Sequence, residues 1–370
     1  MSTFKKWNQL HDSGSLFAFN GDTEGILWLK LKSLIRPVFI KRLIPYLNVN
    51  LKEKKAKEQF VELFEILSRD IANSHRLLDA FLRDEDIKQG NQVDTAKLVS
   101  ELYKVKSFDW GGDYRNSLDK YLISRYVKQM TSYEEIISKL DAEISTAVRG
   151  YLLNSWYNHW SSILIENVFK SHTAIFPTVG KIKNVDFFIN EIPFDLKVTY
   201  FPNEFLKQRL REKAYPQELA YLKKAAKEYQ ITYQCVADPS YEIMERLKDR
   251  NTPESLSVLD KLHERRAEIV DESMRSPRQL IQWLYENQGE MRFSSENRLF
   301  LVLIDLTDFS NSWKLKRNLD VLKPTIFEAL DQFSKKDLKT LKVSFRYPGK
   351  AYEFSAFADI IFVVKNRQVH

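Results

Sequence analysis

The chain has 370 residues, 44% of them hydrophobic, a net charge of +7 and one cysteine, Cys235. That apolar content can fill one large domain or two, while the lone thiol excludes an intrachain disulfide or a cysteine-rich zinc site and suits a reducing cytoplasm. No apolar run reaches the roughly 18 residues of a membrane span, the opening residues lack a signal peptide's apolar core, and the excess of lysine and arginine is compatible with a nucleic-acid partner without requiring one. The expectation is therefore a cytoplasmic protein with no membrane partner. Only 10 glycines and 11 prolines, with long charged amphipathic stretches, make helix the majority structure.

Residues 1–148 read as a mostly helical N-terminal domain. In residues 25–47, Trp28, Leu31, Leu34 and Ile35 form a stripe at helical spacing, broken at Pro37 and again at Pro45. The interleaved basic residues can snorkel, so a core-facing stripe explains the pattern better than a membrane-surface helix. Residues 52–82 continue with Phe60, Leu63, Phe64 and Leu67, and the KEKKAKE run is a solvated face. The two glycines of DWGGD at residues 109–113 predict a turn, after which residues 118–140 resume helix.

A helix is predicted over residues 151–172, with Glu166 on one stripe with His159, Ser162 and Lys170. Residues 184–201, NVDFFINEIPFDLKVTYF, then change period. Val185, Phe187 and Ile189 alternate with Asp186 and Phe188, as in a strand packed mainly on one face. Asn190 and Glu191 make a short turn. A second strand starts near Ile192, with Phe194, Leu196, Val198 and Tyr200 on one side and Asp195, Lys197 and Thr199 on the other. Pairing as a hairpin brings Asp186 beside Asp195 and Lys197.

Two explanations fit this cluster. One is a solvated sheet face with a cross-strand salt bridge worth about 0.5 kcal/mol. The other is a metal-ion site, because neighbouring carboxylates repel unless a hard cation such as Mg2+ sits between them, and a lysine beside it can polarise water. The acid-x-Lys spacing also occurs at Glu53–Lys55, Asp86–Lys88 and Asp337–Lys339. Those copies fall in or at the ends of charged helical stretches, with no acid-bearing strand just before them.

The segment resembles the PD-(D/E)xK nucleases of the restriction-endonuclease-like fold, and among them bacterial type II restriction endonucleases. Asp186 matches the first aspartate, Asp195 the second acid, Lys197 the lysine and Glu166 the glutamate on the preceding helix; Val185 stands where the motif has proline. The spacing of Gln217 and Tyr221 is similar to the QxxxY element that the RecB-like branch carries on the helix after the lysine strand. A glutamine and a tyrosine on a lysine-rich helix also fit surface positions. The resemblance implies catalytic Asp186, Asp195, Lys197 and Glu166, a Mg2+ ion (Mn2+ as substitute) held by Asp186, Asp195 and Glu166, and Gln217 and Tyr221 as accessory residues. It implies DNA as partner, and a two-fold homodimer where both strands are cut.

Downstream, residues 203–292 are too long for a plain connection and read as a helical insertion, with breaks near Ala237 and Arg275. RLFLVLIDL, residues 298–306, fits a strand buried on both faces. Residues 315–333 return to helix, and the end of the chain predicts a hairpin turning at Pro348 and Gly349, then a strand through Ile360 to Val364. The expected fold is α/β: a restriction-endonuclease-like mixed sheet flanked by helices over residues 149–370, beside the helical N-terminal domain. Its expected activity is metal-dependent hydrolysis of phosphodiester bonds by a DNA endonuclease. A nuclease of repair, transposition or phage defence, and a non-catalytic nucleic-acid binder, are the alternatives. No Walker loop is present, and the six histidines show no paired ligand spacing.

Overall fold

Local turn chemistry and alternation build the centre of the protein, a mixed sheet ordered β1-β2-β3-β4-β6-β5. Its strands are β1 (Ile175–Ile182), β2 (Val185–Ile189), β3 (Ile192–Tyr200), β4 (Arg298–Asp305), β5 (Lys342–Phe345) and β6 (Phe354–Lys365). Strands β1, β2 and β3 form an antiparallel meander, β3, β4 and β6 run parallel, and β5 closes the far edge antiparallel to β6. The computed structural model describes residues 3–90, 93–107, 118–234, 239–287, 295–333, 335–347, 349–351 and 353–366. The turn expected at residues 109–113, Cys235, Ala237 and Pro348 lie outside them.

Helices surround this sheet. The N-terminal segment supplies α1 (Thr3–Asp12), α2 (Thr23–Ser33), α3 (Pro37–Leu47), α4 (Ala56–Leu67), α5 (Ile71–Gly90), α6 (Thr95–Leu102), α7 (Leu118–Leu122) and α8 (Tyr133–Lys139). The long α9 (Ser145–Lys170) leads into β1. Between β3 and β4 come α10 (Asn203–Glu212), α11 (Glu218–Glu228), α12 (Ser240–Arg250), α13 (Pro253–Arg275) and α14 (Arg278–Asn287), and after β4 come α15 (Leu319–Phe333) and the short α16 (Leu338–Leu341).

Each layer follows from periodicity. Strand β4 is buried along its whole length. Its Leu299, Leu301 and Leu303 pack on Ile165, Val168 and Phe169 of α9 and on Leu322, Ile326 and Leu330 of α15. Its Phe300, Val302 and Ile304 meet α10, α13 and α14 on the opposite face. The stripe of Trp28, Leu31 and Leu34 is core-facing as expected, and it forms one cluster with Phe60, Leu63, Phe64, Leu78, Phe81 and Leu82 and with Ile182, Val185 and Phe188 of β1 and β2. The N-terminal helices thus cover the face of the meander that α9 leaves open.

Four local differences have simple causes. Strand β1 forms ahead of the two expected strands because the Lys183–Asn184 turn, with Asn184 at φ 61°, folds residues 175–182 back onto β2. Strand β2 is buried on both faces, with Phe187 and Ile189 in one core and Val185 and Phe188 in the other. The helix expected over residues 118–140 is interrupted at residues 128–132, where Ser132 caps a new helix by accepting from Glu135 N. The terminal hairpin and the strand through Ile360 to Val364 are one structure, since β6 is long enough to pair β5 at its start and β4 beyond.

At Gly180 the N-terminal layer packs tightly against β1. A β-carbon there would lie 1.9 Å from the Ser33 carbonyl oxygen at the end of α2, whereas one at Gly90 would meet open space. Gly180→Ala is therefore expected to lower unfolding stability by at least about 2 kcal/mol, since overpacking against backbone has no side chain to yield. Gly90→Ala should leave it unchanged or raise it slightly. Urea unfolding of both variants checks the contrast.

Candidate functional site

Strand β3 changes partner in mid-course. Its first residues pair with β2, Ile192 opposite Ile189 and Phe194 opposite Phe187. From Asp195 onward it pairs with β4, Asp195 opposite Arg298 through Tyr200 opposite Leu303. The Asn190–Glu191 turn, both residues at positive φ, sets the register that leads β2 away from β3 at this point. Past the fork β3 is only half-buried, so a strand buried at its base opens toward solvent where its polar residues begin.

Side chains complete the backbone pairing at the fork. Leu196 N donates to Asp186 Oδ2 at 2.8 Å. On the β4 side, Asp195 N donates to the Asn297 carbonyl at 2.9 Å. The buried Asn297 amide donates to Pro193 O at 2.9 Å and accepts from Phe357 N at 2.9 Å, joining β3 to β6 where β4 begins. Asn20, from the N-terminal segment, is hydrogen-bonded to the same amide.

Asp186, Asp195 and Lys197 meet here, as the alternation and hairpin pairing predict. Asp195 is 5% exposed, and the Lys197 ammonium lies 2.9 Å from its Oδ1 and 2.7 Å from its Oδ2. Burial pushes the Asp195 carboxyl up, while Lys197 and Arg298 pull it down. Arg298 is itself buried, 4.0 Å from Asp195 Oδ2 and 2.7 Å from Glu296, with its guanidinium over the Tyr285 ring. Asp186 is pushed up to about 6, first by burial and then by the charge of Asp195, with a smaller push from Glu166.

Glu166 reaches this field from α9, but its carboxylate is ion-paired with Lys170 one turn later, at 2.7 Å. His159 and Ser162, on the same stripe, are exposed. Lys170 also lies 3.6 Å from Asp86 of α5 and donates to Thr178 O at 2.9 Å, and Thr178 Oγ1 in turn donates to Asp186 O at 2.7 Å. Asp86 was visible in the sequence only as part of an acid-x-Lys spacing. That spacing is not a second motif, because Lys88 pairs with Asp84 and Glu85 while Asp86 turns to Lys170.

Gln217 and Tyr221 engage the helical segment rather than the acids. Gln217 is the N-cap of α11, the second helix after the lysine strand, and its side chain donates to Lys207 O at 3.2 Å. The Tyr221 ring lies under the Arg265 guanidinium of α13, 4.6 Å from its centroid. Asn297, Arg298 and Glu296 were not foreseen, since they precede or begin an apolar strand and carry no spacing signal.

The donor set fits a hard divalent cation. Both carboxyls are raised by burial at a half-open fork, Asp186 also by the charge of Asp195, and Asp195 Oδ2 accepts no well-directed hydrogen bond. Among the described residues no three acidic, histidine or cysteine side chains are already gathered as a metal-binding group, in keeping with the pairing of Glu166 to Lys170.

The raised Asp186 carboxyl links stability to pH. The folded protein keeps this proton to about pH 6, whereas an unfolded chain releases it near 4. Ionisation therefore costs stability that grows between these values and is complete above them. Asp186→Asn, which can still accept from Leu196 N, is expected to stabilise the metal-free protein by about 1–3 kcal/mol near pH 8 and by little near pH 4. Thermal unfolding at the two pH values measures this, and an equal gain at both would contradict the assignment.

No family model, curated protein or solved structure matches this chain.

Proposed function

We propose that this chain is a Mg2+-dependent DNA endonuclease of the restriction-endonuclease-like kind, hydrolysing phosphodiester bonds at the fork between β2 and β4. The observation that carries the reading is the convergence of Asp186, Asp195 and Lys197 where β3 exchanges partners. The fold supports it too, since a mixed sheet flanked by helices, with α9 leading into an antiparallel meander and parallel strands following, has the order of elements that the resemblance implies.

Asp186 and Asp195 would hold a Mg2+ or Mn2+ ion, with Glu166 as a third carboxylate, and the ion would supply positive charge for phosphate and water. The chain's own groups divide the remaining work. The half-exposed Lys197 ammonium, beside Asp195, can donate to a phosphate oxygen or orient the attacking water. Asp186 stays in place because the Leu196 peptide N–H holds one of its oxygens. Lys197 and, to a smaller extent, the buried Arg298 oppose the desolvation that raises the Asp195 carboxyl. With no histidine or cysteine in the donor set, hard cations are preferred to Zn2+. DNA is the proposed substrate, and symmetric cutting of both strands would call for a two-fold dimer.

The test uses plasmid, linear duplex, single-stranded DNA and RNA. Wild type should cut DNA when millimolar Mg2+ or Mn2+ is present and not with Ca2+. Lys197→Ala and Asp195→Asn should each lose at least about a hundredfold in rate. Lys197→Ala should still bind duplex in Ca2+, because backbone contacts elsewhere dominate affinity. Inert wild type on all four substrates would leave a non-catalytic binder, and cutting that survives Asp195→Asn would move the active site elsewhere.

A further inference from the structure

Lys170 is the meeting point of three elements around the site. It belongs to α9, its ammonium is bonded to Glu166 on the same helix, and it donates to the Thr178 carbonyl of β1. Its remaining side faces Asp86 of α5, 3.6 Å away. The side chain is 12% exposed, against 22% for Asp86 and 36% for Glu166. A cation this enclosed cannot turn to bulk water when it loses a carboxylate, and leaving it unpaired is costly.

Glu166 has two competing demands on it. In the metal-dependent reading it is the third carboxylate for an ion at the fork, and its charge is felt at Asp186, yet its carboxylate is committed to Lys170. Asp86 offers the release. Burial pushes its carboxyl up and Glu166 adds to that push, while Lys170 opposes both. Its position is fixed by the packing of Leu78, Phe81 and Leu82 of α5 in the core shared with β1 and β2. The Thr178 carbonyl anchors the ammonium, so transfer from Glu166 to Asp86 needs only a small displacement.

We propose that Lys170 is a positioning residue with two alternative carboxylate partners, held by Glu166 or by Asp86, and that it passes to Asp86 when Glu166 turns to a divalent cation bound at Asp186 and Asp195. The N-terminal helical layer thereby contributes a residue to the site. This inference rests on the metal-dependent reading above.

The experiment is a double-mutant cycle read by calorimetric titration of DNA-free protein with Mn2+, independent of cleavage. Asp86→Asn removes the alternative partner and should weaken Mn2+ binding about tenfold, and Asp86→Glu should restore most of it. Lys170→Met frees Glu166 and should tighten binding. Adding Asp86→Asn to Lys170→Met should then change affinity by less than about twofold, because the exchange no longer exists. Lys170→Gln, whose amide can still donate to Thr178 O, replaces Lys170→Met should that variant not fold. Equal weakening by Asp86→Asn with and without Lys170 would show Asp86 acting only as a distant charge and would overturn the exchange. No weakening by Asp86→Asn would overturn it as well. Wild type without saturable Mn2+ binding would overturn this inference and the metal-dependent reading together, whereas saturable binding with an additive cycle would overturn the exchange alone.

Discussion

The structure depends on one strand using its two edges in turn. Strand β3 spends its first residues on β2 and the rest on β4, and a strand that does this leaves peptide groups unpaired at the crossover. A buried peptide group without a partner costs about 1–3 kcal/mol. Here the gap is closed by two side chains, the Asp186 carboxylate for Leu196 N and the Asn297 amide for Pro193 O and Phe357 N. The candidate ligand Asp186 is therefore also part of the sheet's hydrogen bonding. That ties the position of the charge to the geometry of the fold, with no flexible loop between them.

The meeting of Asp186, Asp195 and Lys197 was legible in the sequence because period-two alternation is a strong constraint. Once Phe194, Leu196, Val198 and Tyr200 are assigned to the α9 face, Asp195 and Lys197 must share the other, and the Asn190–Glu191 turn brings Asp186 beside them. The almost wholly apolar β4, buried along its length, was legible for a similar reason. Strand β1 was not, since IFPTVGKI carries a proline, a glycine and a lysine and shows neither clean alternation nor an unbroken apolar run. Its strand character comes from its neighbours: Gly180 lets α2 approach, and Phe176 and Val179 pack against the N-terminal core. The contributions of Asp86, Asn297 and Arg298 were equally invisible. They arise from contacts between residues far apart in the chain, which no local period encodes.

Lys197 and Lys170 divide the positive charge around the acids in different ways. Lys197 is half-exposed and sits beside a single carboxylate, so part of its ammonium faces solvent. Lys170 is enclosed and has carboxylates on two elements, so its charge is spent within the protein. The two lysines thus lie on different sides of the acids, Lys197 at the open end of the fork and Lys170 behind it. Asp186 and Asp195 retain the raised proton affinity that a divalent cation can relieve.

The two helical segments outside the sheet stand in different relations to this charge. The segment between β3 and β4 has a core of its own, in which Leu222, Ala225 and Ala226 of α11 meet Ile243 and Leu247 of α12 and Val258, Leu259 and Leu262 of α13. It is clamped by Arg266, whose guanidinium makes two hydrogen bonds to Glu218 at 2.6 and 2.8 Å. The sheet is met instead by α10, α14 and the later part of α13, with Ile269 and Val270. Changes in α11 and α12 can therefore be absorbed without moving the fork. The N-terminal helices have no such independence, because their core is completed by Ile182, Val185 and Phe188, the residues that flank Asp186 on its own strand and the strand before it. Asn20 and Asp86 from that layer make direct polar contacts with Asn297 and Lys170. The N-terminal layer thus packs directly on the strands that carry the fork, whereas α11 and α12 bury their apolar faces against α13.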